Sequence, residues 1–499
     1  MSHLVKKNKF FYKLFWLLFF GIIFLILYKS LNNYRGDKFL YLIFSIIFNF
    51  YLFFSFRKKT IFFDKFLCVF LWLGFWFKFS CVILFFNGKF NEVGNNIFYN
   101  IELYDKSLIF SSICVIFIMI STSVREKLFT YSYNFNCNKN YFYFENKNFL
   151  LFFFVSISLL ICFINFSFQL YQKGMLPLYN INFLLFSLIK WFLLIGIPTI
   201  SSIFIFFETN EKKNISVFYF FIIILPIFFS SLSMLSRDAI FNSLSILFGL
   251  YVMNKLCKLN LNIKFFFKSF FVLIFLFYIS VILVNFLRAN YYYIGKSNIN
   301  FVNDIKGSGS SGNNSKKINQ EKKFDDVESS TNEIFYLIVY RWVGINSVIN
   351  ILGNKEILSF QLFKKSFEEK AIEKTEVTEK TFYEKYFKFY DKNANPIKNN
   401  VKGNTLPGII GFLLYSGSYF FVFFSLSFLC FLFSFFEILA FKISKNILFS
   451  SLIGMLIAYR FIHFGYAPLN TYKIILGIFL AYFVYYFLIK SLSKKKIND

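Results

Sequence analysis

Apolar and polar positions follow one another along this chain in long blocks, and the apolar blocks have the length of membrane-crossing helices. A helix needs about 18 mostly apolar residues to span a bilayer core, and many of the runs reach that length. One polar stretch of more than a hundred residues, 288–405, interrupts them. We therefore predict an all-α polytopic membrane protein with about 12 transmembrane helices and one large external loop. The predicted spans lie near residues 10–28, 38–56, 66–86, 107–124, 149–167, 183–207, 216–235, 239–254, 265–287, 408–436, 446–463 and 473–490.

The same pattern divides the chain into three parts. Residues 1–287 carry transmembrane helices 1–9, residues 288–405 form the large loop with short interfacial helices, and residues 406–499 carry helices 10–12. Lysine and arginine concentrate in alternate short loops, which the positive-inside rule assigns to the cytoplasm. This alternation predicts that both termini are cytoplasmic and that the large loop lies outside.

Composition limits the classes of function. Hydrophobic residues make up 57% of the chain and the mean hydropathy is +0.57, more apolar surface than a soluble protein can hide. The net charge of +28 is high enough to suggest nucleic acid, but the basic residues sit in short loops, where lysine fixes topology and meets anionic lipid. We therefore expect membrane lipids as partners and no nucleic acid. The 84 phenylalanines are typical of genomic nucleotide bias.

Several kinds of site have no sequence support. The seven cysteines include no CxxC pair, and none lies in the predicted external loop, so no disulfide framework is expected. The sequence contains no P-loop, no GxSxG and no metal-ligand cluster. The acidic pair Asp325-Asp326 stands in a charged loop and is interpreted as solvated charge. We expect no metal site and no cofactor.

The large loop has an internal pattern. Lys306–Ser315 is rich in glycine and serine and is predicted to be flexible. Glu333–Leu352 is apolar but carries Arg341 in its middle, so we predict an interfacial or buried helix rather than a span. Ser366–Asp391 is charged and then aromatic, and its rings are expected to rest on the membrane or on the outer helix ends.

Arginine is scarce, which makes its positions informative. Lysine and arginine total 54, and only seven of these are arginine. Arginine binds phosphate through two parallel hydrogen bonds and stays charged in a low dielectric, which lysine does less well. The alternative is that the arginines fix topology and reach toward lipid headgroups. Four map to the outer face, namely Arg237, Arg288, Arg341 and Arg460, whereas Arg35, Arg57 and Arg125 lie in cytoplasmic or short-loop positions, and Arg35 and Arg125 are expected to tolerate lysine.

Five residues are candidates for chemistry by their position. Arg237 opens a predicted helix, whose N-terminus favours an anion, and Asp238 either pairs with it or acts in catalysis. Arg460 and His463 are one helical turn apart near an outer helix end, and His463 is either a hydrogen-bonded structural residue or a general base. Lys78 lies deep in an apolar run and is a candidate for a cation that faces a cavity and binds substrate.

Four stretches together resemble a known family. They are FLWLGFWFK at Phe70–Lys78, SRD at Ser236–Asp238, RWVGINSV at Arg341–Val348 and TLPGIIGFLLYSGS at Thr405–Ser418. With many helices and a large external loop in the second half, the chain resembles the Wzy-type O-antigen polymerases, which are oligosaccharide repeat-unit polymerases of bacterial inner membranes.

The resemblance implies a function and a place. Such enzymes move a growing glycan from undecaprenyl pyrophosphate onto the next lipid-linked repeat unit, at the periplasmic face and without a metal. It implies catalytic roles for Arg237 and Arg341. From position we add Arg460, His463 and Asp238 as catalytic, and with them substrate-binding roles for Arg288, Lys78 and Tyr415, the tyrosine of the fourth stretch.

The expected partners are the lipid-linked oligosaccharide, membrane lipids and, as a further possibility, a chain-length regulator protein. Two alternatives stay open. An O-antigen ligase shares the loop and the arginines but hands the glycan to lipid A core, and a lipid-linked oligosaccharide flippase is a transporter. A histidine in the external loop would favour the ligase, and residues 288–405 contain none.

Overall fold

The computed structural model of the protein describes residues 2–57, 60–86, 88, 90, 100–129, 141–173, 182–236, 239–257, 259–306, 339–340, 342–370, 381–387 and 406–492. For residues 2–16 and 289–306 the description is of the backbone alone. Throughout these ranges the regular elements are helices, and none of them is a β-strand.

The helices follow the apolar runs of the sequence. Within the described ranges, nine helical segments are long and apolar enough to cross a membrane, and three shorter apolar helices accompany them. The protein is therefore an all-α polytopic membrane protein. In chain order the helices are α1 Ser2–Asn33, α2 Lys38–Ser55, α3 Phe62–Trp72, α4 Lys78–Phe85, α5 Ile101–Leu128, α6 Tyr141–Glu145, α7 Lys147–Phe168, α8 Phe183–Trp191, α9 Ile197–Lys212, α10 Val217–Ser233, α11 Ala239–Cys257, α12 Ile263–Lys306, α13 Ile345–Gly353, α14 Phe360–Ser366, α15 Phe382–Tyr386, α16 Gly408–Leu414, α17 Tyr419–Ser444, α18 Ile447–Ile462 and α19 Thr471–Leu492.

Two pairs of these helices are continuous through a wider turn. The π-helical turn Leu73–Phe77 joins α3 to α4, and Phe192–Gly196 joins α8 to α9. A π turn inserts one extra residue into a helix and changes which side chains share a face, which is why such turns are frequent at functional sites.

Helix α18 forms the centre of the helical domain. Nearly every residue in it is buried, and α3 and α11 both pack along it. A Cβ on Gly249 of α11 would lie 3.0 Å from the Cα of Leu448, and the Ser451 hydroxyl donates to the Ser245 carbonyl at 2.7 Å. Small residues at the contact let the two backbones approach closely, as is usual between membrane helices.

The outer surface of the bundle is lined with exposed aromatic side chains. Phe152 is 72% exposed, Phe271 is 65% exposed and Phe420 is 76% exposed, each on a different helix. Rings in such numbers would be costly in water and are favourable against lipid tails. The outer face of the bundle is thus suited to a bilayer.

A buried charge network lies at the start of α3, the end remote from Lys78. Arg125 donates to both oxygens of Asp64, at 2.8 and 2.5 Å, and the two side chains are 4% and 3% exposed. Glu437 accepts from the backbone N–H groups of Phe62 and Phe63 at 2.9 and 2.6 Å. The expectation that Arg125 tolerates lysine has no support from this placement, because a buried two-point pair depends on the planar guanidinium.

Two predicted boundaries differ from the structure. The predicted span 408–436 is wrong at its start, because α16 ends at Leu414 and α17 begins only at Tyr419, after a turn in which Gly417 has a φ of +73°. Helix α12 continues to Lys306, well past the predicted start of the loop at residue 288. Both differences arise because hydropathy reports burial, whereas a helix begins and ends where its backbone hydrogen bonds do.

Part of the large loop packs into the helical domain. Helix α13 has nine residues and rises about 14 Å, less than the roughly 30 Å bilayer core, so it does not cross. Ile345 to Leu352 are all buried, against α5 and α16. The described part of the apolar segment around Arg341 is thus buried, and its helix is too short to span. Residues 333–338 and 341 lie outside the described residues, so the prediction for the whole segment stays a prediction.

Candidate functional site

Lys78 fixes the loop segment that carries Arg341. Its side chain is fully buried, and its amine donates to the carbonyls of Tyr340 and Trp342 at 3.2 and 2.9 Å and to Oδ1 of Asn346 at 3.0 Å. An ammonium has three N–H groups, and each of these three oxygens can accept a hydrogen bond from one of them. Lys78 was predicted to bind substrate, but in this structure its amine holds protein backbone.

The π turn beside Lys78 brings two backbones into contact. A Cβ on Gly344 would overlap the carbonyl of Gly74, and a Cβ on Gly74 would overlap the carbonyl of Val343. The Ser347 hydroxyl then donates to the Pro407 carbonyl at 2.7 Å, which attaches the start of α13 to the start of α16. The loop segment is therefore held from two sides.

Four rings from four segments meet next to this anchor, and we call Phe70, Phe241, Trp342 and Tyr459 the aromatic junction. Phe241 lies 6.1 Å from both Trp342 and Tyr459, and Phe70 lies 5.7 Å from Phe241 and 5.8 Å from Tyr459, as ring-centroid distances. The last three rings are only partly buried. Edge and tilted ring contacts at these distances are favourable and hold the segments together.

The aromatic junction brings together three arginine-bearing segments. Trp342 directly follows Arg341, Phe241 stands four residues after Arg237, and Tyr459 directly precedes Arg460. Arg237, Asp238 and Arg341 themselves lie outside the described residues, so their predicted roles stay predictions. Their described neighbours nevertheless place the three segments at one end of the helical domain.

Arg460 is half-buried on the central helix α18. Its Nε is buried without a hydrogen-bond partner, and the described part of the chain provides it with neither an ion pair nor a hydrogen bond. An arginine within a membrane helix costs about 2.5–3.5 kcal/mol on insertion scales unless it faces a polar partner. A buried guanidinium of this kind is suited to an anion that arrives from outside the chain.

His463 lies at the C-terminal end of α18. Its ring stacks on Tyr459 with 4.1 Å between the centroids, and its Nδ1 lies 3.0 Å from the Tyr459 carbonyl. Since a carbonyl only accepts, Nδ1 carries the proton in this contact, and Nε2 is then the basic nitrogen of the neutral ring. This orientation agrees with either of the two roles considered for His463.

Arg288 supports the turn that leads into Arg237. Its guanidinium donates to the Leu235 carbonyl at 2.6 and 3.1 Å and to the Lys173 carbonyl at 3.1 Å. Leu235 has a left-handed φ of +49°, which is unfavourable for a residue with a side chain. Arg288 was predicted to bind substrate, and the structure places its charge on backbone carbonyls instead.

Tyr415 lies in the turn after α16 and is buried. It is 1% exposed, its ring stacks on Phe387 at 5.0 Å, and its hydroxyl has no hydrogen-bond partner among the described residues. Burial raises the pKa of this hydroxyl well above its ordinary value. The predicted substrate-binding role has no support from this placement, because a substrate could reach the ring only if the residues that cover it moved.

Sequence reasoning missed the partners of these residues. Asn346, Gly74 and Gly344 hold the Arg341 segment, and the glycine and lysine of FLWLGFWFK were the available signals for a close backbone approach. In the described ranges no group of three or more histidine, cysteine, aspartate or glutamate side chains could hold a metal ion. No family model, curated protein or solved structure matches this chain in comparisons with known proteins.

Proposed function

We propose that this protein polymerises oligosaccharide repeat units carried on undecaprenyl pyrophosphate, at the periplasmic face of a bacterial inner membrane. The proposal rests on the resemblance of four stretches to Wzy-type O-antigen polymerases and on one structural observation. That observation is the aromatic junction, which gathers the segments of Arg237, Arg341 and Arg460 at one end of the helical domain.

The chemistry of Arg460 supports a pyrophosphate ligand. A half-buried guanidinium without a carboxylate partner in the described residues attracts a multiply charged anion strongly, because the surroundings screen the charge poorly. Two further arginines on adjoining segments would allow two-point contacts to both phosphates. Stabilisation of the departing pyrophosphate would then be the main catalytic contribution.

The reaction needs only groups that the chain and substrates supply. A hydroxyl oxygen of the acceptor sugar forms a bond to the anomeric carbon of the donor, and the bond from that carbon to the pyrophosphate oxygen breaks. Undecaprenyl pyrophosphate leaves with the electron pair, and the hydroxyl proton passes to a base. His463 is the candidate base, because its Nδ1 contact makes Nε2 the basic nitrogen.

The partly exposed rings around the arginines fit a glycan acceptor. Trp342, Phe241 and Tyr459 present apolar faces beside a cationic group. Sugars bind such faces through their C–H bonds while their hydroxyls reach polar groups. The combination of aromatic faces and arginines at one place suits a glycan that is linked to a lipid pyrophosphate.

The decisive experiment is deletion of the gene in its native host, followed by electrophoresis of the surface glycan. A polymerase deletion leaves a single repeat unit on the acceptor, and plasmid-borne protein restores the ladder of long chains. A deletion that leaves the acceptor bare while long lipid-linked chains accumulate would instead identify an O-antigen ligase. Loss of every glycan on the outer side, with lipid-linked units retained inside, would identify a flippase.

A further inference from the structure

We propose that Lys78 is a positioning residue that fixes the backbone on either side of Arg341. The proposal rests on the proposed function for its catalytic part, while its geometric part stands on the contacts of Lys78 alone. The amine holds the carbonyl immediately before Arg341 and the carbonyl immediately after it, at 3.2 and 2.9 Å. One buried charge therefore restrains both neighbours of the arginine.

The surroundings make this restraint specific. Lys78 is fully buried and follows the π turn Leu73–Phe77, whose Gly74 touches the backbone of Val343 and Gly344. Its third acceptor, Asn346, lies in the first turn of α13. A neutral side chain at position 78 would leave the three oxygens without their donor, and such unsatisfied buried groups drive local rearrangement.

A buried charged amine between an apolar helix and a loop carries a large desolvation cost. If packing were its only purpose, an apolar residue of similar length would avoid the cost of burying a charge. The amine does what methionine cannot, which is to draw two peptide carbonyls, those of Tyr340 and Trp342, to one point. Small displacements at a site that binds pyrophosphate can lower turnover about a hundredfold.

The test compares Lys78→Met with Lys65→Met. Lys65 is a matched control, because it is a buried lysine on the same continuous helix, at the opposite end, and donates to the Thr60 carbonyl at 2.7 Å. Turnover is measured on purified protein in lipid nanodiscs with the lipid-linked repeat unit of the host. We expect K78M to lower kcat at least about tenfold, and K65M to lower thermal stability with kcat unchanged.

A double-mutant cycle separates positioning from a general structural loss. If Lys78 acts through Arg341, K78M in an Arg341→Ala background causes no further loss of turnover. If the two losses multiply instead, Lys78 acts independently of Arg341 and the proposal is overturned.

A second readout does not depend on activity. In a chain with Cys137 and Cys257 replaced by serine, the five remaining cysteines are buried. A cysteine is placed at position 341 of that chain, and its reaction with a membrane-impermeant maleimide is timed. We expect K78M to change the labelling rate several-fold and K65M to leave it unchanged. An unchanged rate in K78M overturns the positioning role. If Arg341→Ala polymerises normally, the catalytic assignment of Arg341 fails, and the labelling rate alone still decides whether Lys78 places this segment.

Discussion

The carboxylate of Glu369 accepts a hydrogen bond from the backbone N–H of Ala467 at 3.1 Å, across 98 residues of sequence. The same carboxylate accepts from the backbone N–H of Phe382 at 2.8 Å. Ala467 has a left-handed φ of +43° and lies four residues after His463, in the linker between α18 and α19. One half-buried carboxylate therefore ties the large loop to the linker beside the candidate site.

Stability is expected to depend on the protonation of Glu369. Burial raises the pKa of this carboxyl above its ordinary value of 4.5. A group whose pKa is higher in the folded than in the unfolded protein stabilises the fold fully below its unfolded-state pKa, and that stability is lost as the pH rises through its folded-state pKa. We expect the thermal midpoint of wild type to fall as the pH rises above 4.5, and Glu369→Gln to lack this component.

The matched control for Glu369 is Glu368→Gln, which changes an exposed neighbouring carboxylate. Glutamine offers one acceptor oxygen for two N–H donors, so E369Q is expected to be less stable at every pH, and only the slope reports the titration. The thermal midpoint of each protein is measured in detergent and plotted against pH. Parallel curves for wild type and E369Q would show that Glu369 does not titrate in this range.

The buried pair of Arg125 and Asp64 is expected to be sensitive to a conservative change. Lysine keeps the charge at position 125 but cannot reach both carboxylate oxygens, so Arg125→Lys loses a charged hydrogen bond worth about 1.5–3 kcal/mol. Asp64→Asn leaves a buried cation and should cost about 3–5 kcal/mol. Thermal unfolding of purified protein measures both changes, with exposed Arg35→Lys as the control. An R125K midpoint equal to that of R35K would show that the pair contributes nothing.

The contact between Gly74 and Gly344 should not tolerate a methyl group. Alanine at position 344 would overlap the carbonyl of Gly74, so the loop segment must shift, at a cost of about 1–3 kcal/mol or more. Gly21→Ala on α1 is the control, because a Cβ there meets nothing within 4 Å. Protein level and thermal midpoint are the measurements. Equal stability of the G344A and G21A variants would refute the close approach.

The sequence was sufficient to predict an all-α membrane protein, because a run of apolar residues has few other stable forms in a bilayer. Nine helices of the described residues are long and apolar enough to cross a membrane, and the count of about 12 stays a prediction. The sequence was insufficient at Gly408–Ser444, where a short buried helix and a span have the same composition and only the turn at Gly417 separates them. The π turn Leu73–Phe77 has no hydropathy signal at all.

The sequence indicated which types of residue belong to the candidate site. It did not indicate which residues contact one another there. A lysine in an apolar run requires oxygen partners, but nothing near Lys78 in sequence indicates that they lie at residues 340–346. The partner of Arg125 was not predicted for the same reason, since Asp64 lies 61 residues away and on another helix. Charges inside a membrane protein predict that a partner exists, and only the fold identifies it.

Membrane orientation remains a prediction that labelling can test. The lysine clusters predict residues 288–405 outside. In the chain that lacks Cys137 and Cys257, a cysteine at Lys317 should therefore react with an impermeant maleimide in intact spheroplasts. Lys213→Cys, an exposed position after α9, should react only after the membrane is opened. Labelling in the reverse order would place the large loop in the cytoplasm and would exclude a periplasmic reaction.

Catalysis is expected to depend on arginine geometry and not on positive charge alone. Arg237→Lys, Arg341→Lys and Arg460→Lys keep the charge but replace a two-point contact with a single one. A hydrogen bond to a charged group is worth about 1.5–3 kcal/mol, so each variant should lose roughly ten- to a hundredfold in turnover, seen as shorter glycan ladders at equal protein level. Among the three, Arg460 is the sharpest test, because the structure describes its surroundings, whereas Arg237 and Arg341 lie outside the described residues. Arg35→Lys is the matched control and should give a normal ladder, whereas Arg125→Lys is unsuitable because it breaks a buried pair. Normal long chains from all three variants would mean that these arginines only set topology, and the pyrophosphate-binding mechanism would have to be abandoned.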